Sequence, residues 1–96
     1  MSDVVPANLA AHLRKGDGGP TLLPDGSGVY VDLDGNKVLS LSKTGVALVQ
    51  QIQSGVDGLD ALAQALEGRF DVAFPQALED TEAFVAELNR ILCTAD

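Results

Sequence analysis

At Ser42 the hydrophobic period of this chain changes from two to about 3.6. Upstream, "VYVDL" (29–33) and "KVLSL" (37–41) alternate apolar and other residues, the pattern of half-buried strands. Downstream, Val46, Val49 and Ile52 recur at helical spacing. No one regular structure satisfies both periods. The chain must therefore place strands first and helices after them, an α+β order around one core.

The strands come in three pieces: "TLL" (21–23), 29–33 and 37–41. "PDGSG" separates the first two and "DGN" the last two. Asp34 and Gly35 tolerate the positive φ of a tight hairpin turn, so the last two pieces form a hairpin. The expectation is a three-stranded antiparallel meander. Alternation puts either Leu39 and Leu41, or Val38 and Ser40, on the core side.

Three helices follow. Ser42 is placed to cap the first, which closes on Ser54 and Gly55. Gly45 in its first turn costs up to about 1 kcal/mol relative to Ala. Asp57 is placed to cap the second, with Leu59, Leu62 and Leu66 on one face and a stop at Gly68. The third starts near Pro75, a favoured first helical position, and runs to about Leu92. Its core stripe is Leu78, Thr81, Val85, Leu88 and Leu92. Phe84 and Ile91 lie beside that stripe and widen the apolar arc to about 140°. Asp80 and Glu87 border the widened edge. Such an arc fits one broad core contact, or two faces of which one meets a ligand or partner. The second and third helices with their short linker resemble a winged helix-turn-helix.

Residues 1–19 read as a flexible N-terminal tail and residues 20–96 as the domain. "ANLAAHLRK" has helical spacing at Leu9 and Leu13, but "GDGG" (16–19) follows, so a short, detached helix is expected. His12 is then an exposed residue of the tail. The start of the chain lacks the charged and apolar segments of a signal peptide.

Charge removes several functions. Six Lys and Arg against fourteen Asp and Glu give a net charge of −8. Scattered cations cannot track a phosphate backbone or an anionic membrane. A single cysteine, Cys93, forms no internal disulfide, and a reducing cytoplasm is expected.

Asp32, Asp34 and Asn36 open like a calcium loop. Counting from Asp32, however, the sixth residue is Lys37 and the twelfth Lys43, where a glycine and a glutamate are required. One His and one Cys supply too few ligands for zinc. Neither a nucleophile with its base nor a catalytic carboxylate pair stands out, so no catalytic residue, metal or cofactor is expected. Cys93 reads as a small apolar filler of the last turn.

What remains is the third strand. In a meander it is an edge, with one side of its backbone unpaired. Only Lys37 protects it before Val38, Leu39, Ser40 and Leu41. Such an edge accepts a strand from a partner unless the last helix or the N-terminal segment covers it.

Three stretches carry a family resemblance: "GVYVDLDGNKVLSLSKTGVALVQQIQSG", "VDGLDALAQALEGRFDV" and "ALEDTEAFVAELNRIL". In their order and spacing they resemble the PqqD family, also called RiPP recognition elements. The Asp-x-x-x-Phe-x-x-x-Leu pattern of the third helix is carried by Asp80, Phe84 and Leu88. The resemblance implies a non-enzymatic chaperone for the leader segment of a ribosomally made precursor peptide. The leader would add to the third strand and lie beside the third helix. Carried over by position, its contacts would be Lys37, Val38, Leu39, Ser40 and Leu41, with Asp80, Phe84, Glu87 and Ile91 as the facing wall. It also implies a peptide-modifying enzyme as second partner, such as a radical SAM or cyclising maturase. A winged-helix DNA-binding regulator is the alternative that the fold permits and the charge opposes. A monomer or a strand- or helix-exchanged dimer is expected.

Overall fold

The change of period at Ser42 is the junction between sheet and helices. The computed structural model describes residues 4–15, 19–32 and 37–93. Its elements are α1 (Ala7–Lys15), β1 (Thr21–Leu22), β2 (Gly28–Asp32), β3 (Lys37–Leu41), α2 (Lys43–Gln53), α3 (Leu59–Arg69) and α4 (Phe74–Cys93). The expected hairpin turn at Asp34 and Gly35 and the side chain of Cys93 lie outside the described residues.

The strands form one antiparallel sheet in the order β1-β2-β3. Gly28 pairs with Leu41, Tyr30 with Leu39 and Asp32 with Lys37. Directly opposed residues share a face, so Tyr30, Asp32, Lys37, Leu39 and Leu41 point toward the helices. Val31 and Val38, paired with each other, lie on the outer face and are exposed. Of the two phases that alternation allows for β3, the one with Leu39 and Leu41 inward holds. A Cβ on Gly28 would sit 2.7 Å from the Thr21 carbonyl oxygen and 3.0 Å from Val46. Only glycine lets β1 and α2 both approach β2 here.

Ser42 caps α2 as expected, its Oγ accepting from the Gly45 amide at 3.2 Å. The helix is buried more widely than one face, however. Val46, Ala47, Leu48, Val49 and Ile52 are all within the core, because α1, α3 and β3 pack around it. It ends at Gly55, whose φ of 113° lets the Val56 amide turn back to the Gln51 carbonyl at 3.0 Å.

Asp57 does not cap α3; Gly58 holds that position without a side-chain bond. The Asp57 carboxylate instead accepts from Arg14 Nη2 at 2.5 Å. Gly68 lies inside α3, which continues to Arg69. In α4 the buried stripe is Ala77, Thr81, Val85, Leu88 and Leu92, with Leu78 only partly buried.

The largest departure from expectation is α1. It is not detached: Leu9 and Leu13 are both 0% exposed, and Val5 and Ala10 join them in the core. A nine-residue helix is marginal alone, but burial of an apolar face stabilises it. Hydrogen bonds fix its frame. The Val5 amide donates to the Asp57 carbonyl at 2.7 Å. Arg14 Nε donates to the Ile52 carbonyl at 2.7 Å, closing the end of α2. Gln53 Nε2 donates to the Leu13 carbonyl at 3.1 Å, closing the end of α1. His12 is likewise not an exposed tail residue, for its Nε2 lies 3.1 Å from Oδ1 of the buried Asp32. The first carboxylate of the calcium-like run thus faces inward and meets α1. Among the described residues no helix is long and apolar enough to cross a membrane.

Candidate functional site

β3 has β2 on one side and, among the described residues, no strand on the other. Every second N–H and C=O along Lys37–Leu41 therefore points away from the sheet. Among the described residues, α4 packs chiefly on α3 and α1, and α1 on α2 and α4, rather than along this edge. The candidate site, hereafter the groove, is this edge of β3 together with the side of α4 that carries Phe84 and Ile91.

Two contacts set its geometry. At the start of β3, Lys37 Nζ donates to the carbonyl of Ile91. That carbonyl lies near the end of the described part of α4, where a cation suits the helix dipole. At the other end of β3, the ring of Phe84 rests on the first turn of α2. A Cβ on Gly45 would lie 3.0 Å from Phe84 Cε1 and 3.5 Å from Leu41 Cβ. The helix-weakening glycine therefore has a packing reason: it seats the Phe84 ring.

α4 turns 100° per residue, so Ile91, Asp80 and Glu87 fall within about 60° of Phe84 on the side away from the buried stripe. Phe84 and Ile91 are partly buried, whereas Asp80 and Glu87 are exposed. The centre of the apolar arc is buried in the core, and at its edge Phe84 and Ile91 pack against the core while staying partly exposed. Asp80 Oδ1 accepts from Gln76 Nε2 at 2.8 Å, a neutral partner that leaves its charge intact. Glu87 is bonded to Arg90, which raises the pKa of the Arg90 guanidinium and partly cancels the Glu87 charge. Asp80 is the stronger anionic feature of this wall.

Of the nine residues singled out from the sequence, Lys37 meets the end of α4 at Ile91 and Leu41 lies near the Phe84 ring beside Gly45, while Leu39 packs against the core and Asp80 and Glu87 are exposed on the Phe84 side of α4. Val38 and Ser40 belong to the same backbone edge, but their side chains lie on the outer face of the sheet. Sequence reasoning did not assign Gly45 to the site, because its role depends on where α4 crosses α2. It also missed the Asp32–His12 pair. Period two alone places Asp32 on the inner face with Tyr30, where a carboxylate needs a partner.

A separate open depression near α1 is lined by Val4, Ala7, Ala11, Arg14 and Asp57. Its two charged groups satisfy each other, so it offers a ligand little. The groove instead presents main-chain donors and acceptors, apolar side chains, an ammonium and carboxylates. These are binding groups for an extended chain.

Residues 27–91 match a family model described as coenzyme PQQ synthesis protein D (PqqD), a span of more than half the chain. No curated protein and no solved structure matches the chain.

Proposed function

The chain belongs to the PqqD family, and from that premise we propose that it is a non-catalytic chaperone for a ribosomally made precursor peptide. The leader segment of the precursor adds as a strand to Lys37–Leu41, and its inward side chains rest on Phe84 and Ile91. A peptide-modifying enzyme is the second partner, to which the bound precursor is presented.

The observation that carries this reading is the unpaired edge of β3 beside half-buried apolar residues of α4. An edge alone gives little discrimination, since each net hydrogen bond contributes only about 0.5–1.5 kcal/mol. Apolar anchors beside it supply the rest. Asp80, with Glu87 in support, favours Lys or Arg on the leader. The net charge of −8 opposes duplex DNA as a ligand and favours a basic peptide.

The test is titration of the isotope-labelled protein with a leader peptide from a precursor encoded beside it, followed through amide shifts. Perturbations should concentrate on 37–41 and on 77–92. Shifts confined to α1 or α3 would overturn the proposal.

A further inference from the structure

The inner row of β3 has an uneven chemistry. Lys37, Leu39 and Leu41 point to the same face, toward the helices. Leu41 is buried and Leu39 packs against the core, while Lys37 is half-buried with its ammonium on the Ile91 carbonyl. No carboxylate among the described residues lies within ion-pair distance of that ammonium, in a chain with fourteen Asp and Glu. An ammonium has three donors. One reaches Ile91, and the others remain at the mouth of the groove.

We infer that the groove reads a spaced pattern in its partner peptide: apolar residues opposite Leu39 and Leu41, and a carboxylate opposite Lys37. This rests on the strand-addition reading above and extends it to the chemistry of the ligand. A strand added to β3 places the residue opposite Lys37 on the same face as Lys37, and those opposite Leu39 and Leu41 on that face too. The three positions are two residues apart. The peptide residues beside Leu39 and Leu41 lie toward Phe84, and the residue beside Lys37 lies at the Ile91 end. The residue beside Lys37 finds the spare donors of a half-buried ammonium, where a second ammonium is repelled and an apolar group leaves the charge without an ionic partner. Asp80, four residues before Phe84, makes the start of this wall acidic, while toward Ile91 the Glu87 carboxylate is engaged by Arg90 and Lys37 supplies an ammonium. That asymmetry fixes the direction and register of the bound strand. Lys37 is thus a specificity-determining residue as well as the end of the strand.

A displayed library of random peptides of about twelve residues tests this, selected in parallel on the wild-type protein, K37E and K37M. Melting curves recorded for each test whether the variants are folded; K37M keeps the aliphatic stem and serves if K37E does not fold. The wild type should enrich an alternating apolar pair with Asp or Glu two positions beyond it. K37E should keep the apolar pair and exchange the acid for Lys or Arg. K37M should lower the preference for Asp over Asn by about two- to fivefold, the range of a cross-strand charge pair. An acid preference identical in all three proteins would overturn this inference and leave the strand-addition reading standing. If no alternating apolar pair is enriched on any of them, the strand-addition reading fails and this inference with it.

Discussion

α4 is flanked by two very different neighbours. Toward α1 it meets an element whose Leu9 and Leu13 are wholly buried and which is tied to its neighbours through Arg14 to Ile52, Gln53 to Leu13 and Val5 to the backbone of Asp57. Toward β3 it meets a strand with an unpaired edge, across partly buried Phe84 and Ile91. The first contact lies outside the span that matches the PqqD family, since α1 precedes residue 27; the second lies within it. The finished surface of α4 holds the fold, and the unfinished one is where binding is proposed. Substitutions should accordingly separate into those that cost stability and those that cost affinity.

The largest effect should come from the finished side. Leu13→Ala removes a fully buried side chain and should destabilise the protein by about 2–5 kcal/mol in urea unfolding. Val38→Ala, on the exposed outer face of β3, should stay within about 0.5 kcal/mol. Equal losses at the two positions would break the comparison.

Next comes Phe84→Ala. Removal of a peptide anchor should lower leader affinity by at least about tenfold in calorimetry, a cost in the range typical of interface anchors. The unfolding midpoint should move less than for Leu13→Ala, because the ring is only partly buried.

Gly45→Ala sharpens the same point. The substitution gains up to about 1 kcal/mol of helix propensity, but its Cβ meets the Phe84 ring at 3.0 Å. Stability should therefore change little while the ring moves into the groove and leader binding weakens. A crystal structure or ring chemical shifts of the variant would show the displacement.

The smallest effect concerns the turn between β1 and β2. Bonds from the Ser27 side chain and backbone hold the Asp25 carboxyl below its usual range. A depressed folded-state pKa contributes stability above the unfolded carboxyl's titration and loses it as pH falls through the folded value. Ser27→Ala should raise the Asp25 midpoint in a carboxyl NMR titration and leave leader binding unchanged, since neither residue is on β3 or α4.

Much of this architecture was legible from local pattern. The bounds of β3, the Ser42 cap and the start of α4 follow from alternation, capping chemistry and proline preference. The second contact face of α4 shows as an arc too wide for its core stripe. What could not be read depends on residues distant in the chain. Leu9 and Leu13 have helical spacing, but nothing local says that Ile52, Gln53 and Asp57 will hold that helix in place. The Asp57 cap failed for the same reason, because Arg14 competes for the carboxylate. Gly45 looked like a local cost until the crossing of α4 over α2 gave it a neighbour.

The most direct test of the central claim is amide hydrogen exchange along β3 with and without the leader peptide. Strand addition predicts that alternate amides within Lys37–Leu41, those pointing away from β2, gain protection, while the amides already bonded to β2 change little. Leader binding that leaves the exchange of every β3 amide unchanged would contradict it.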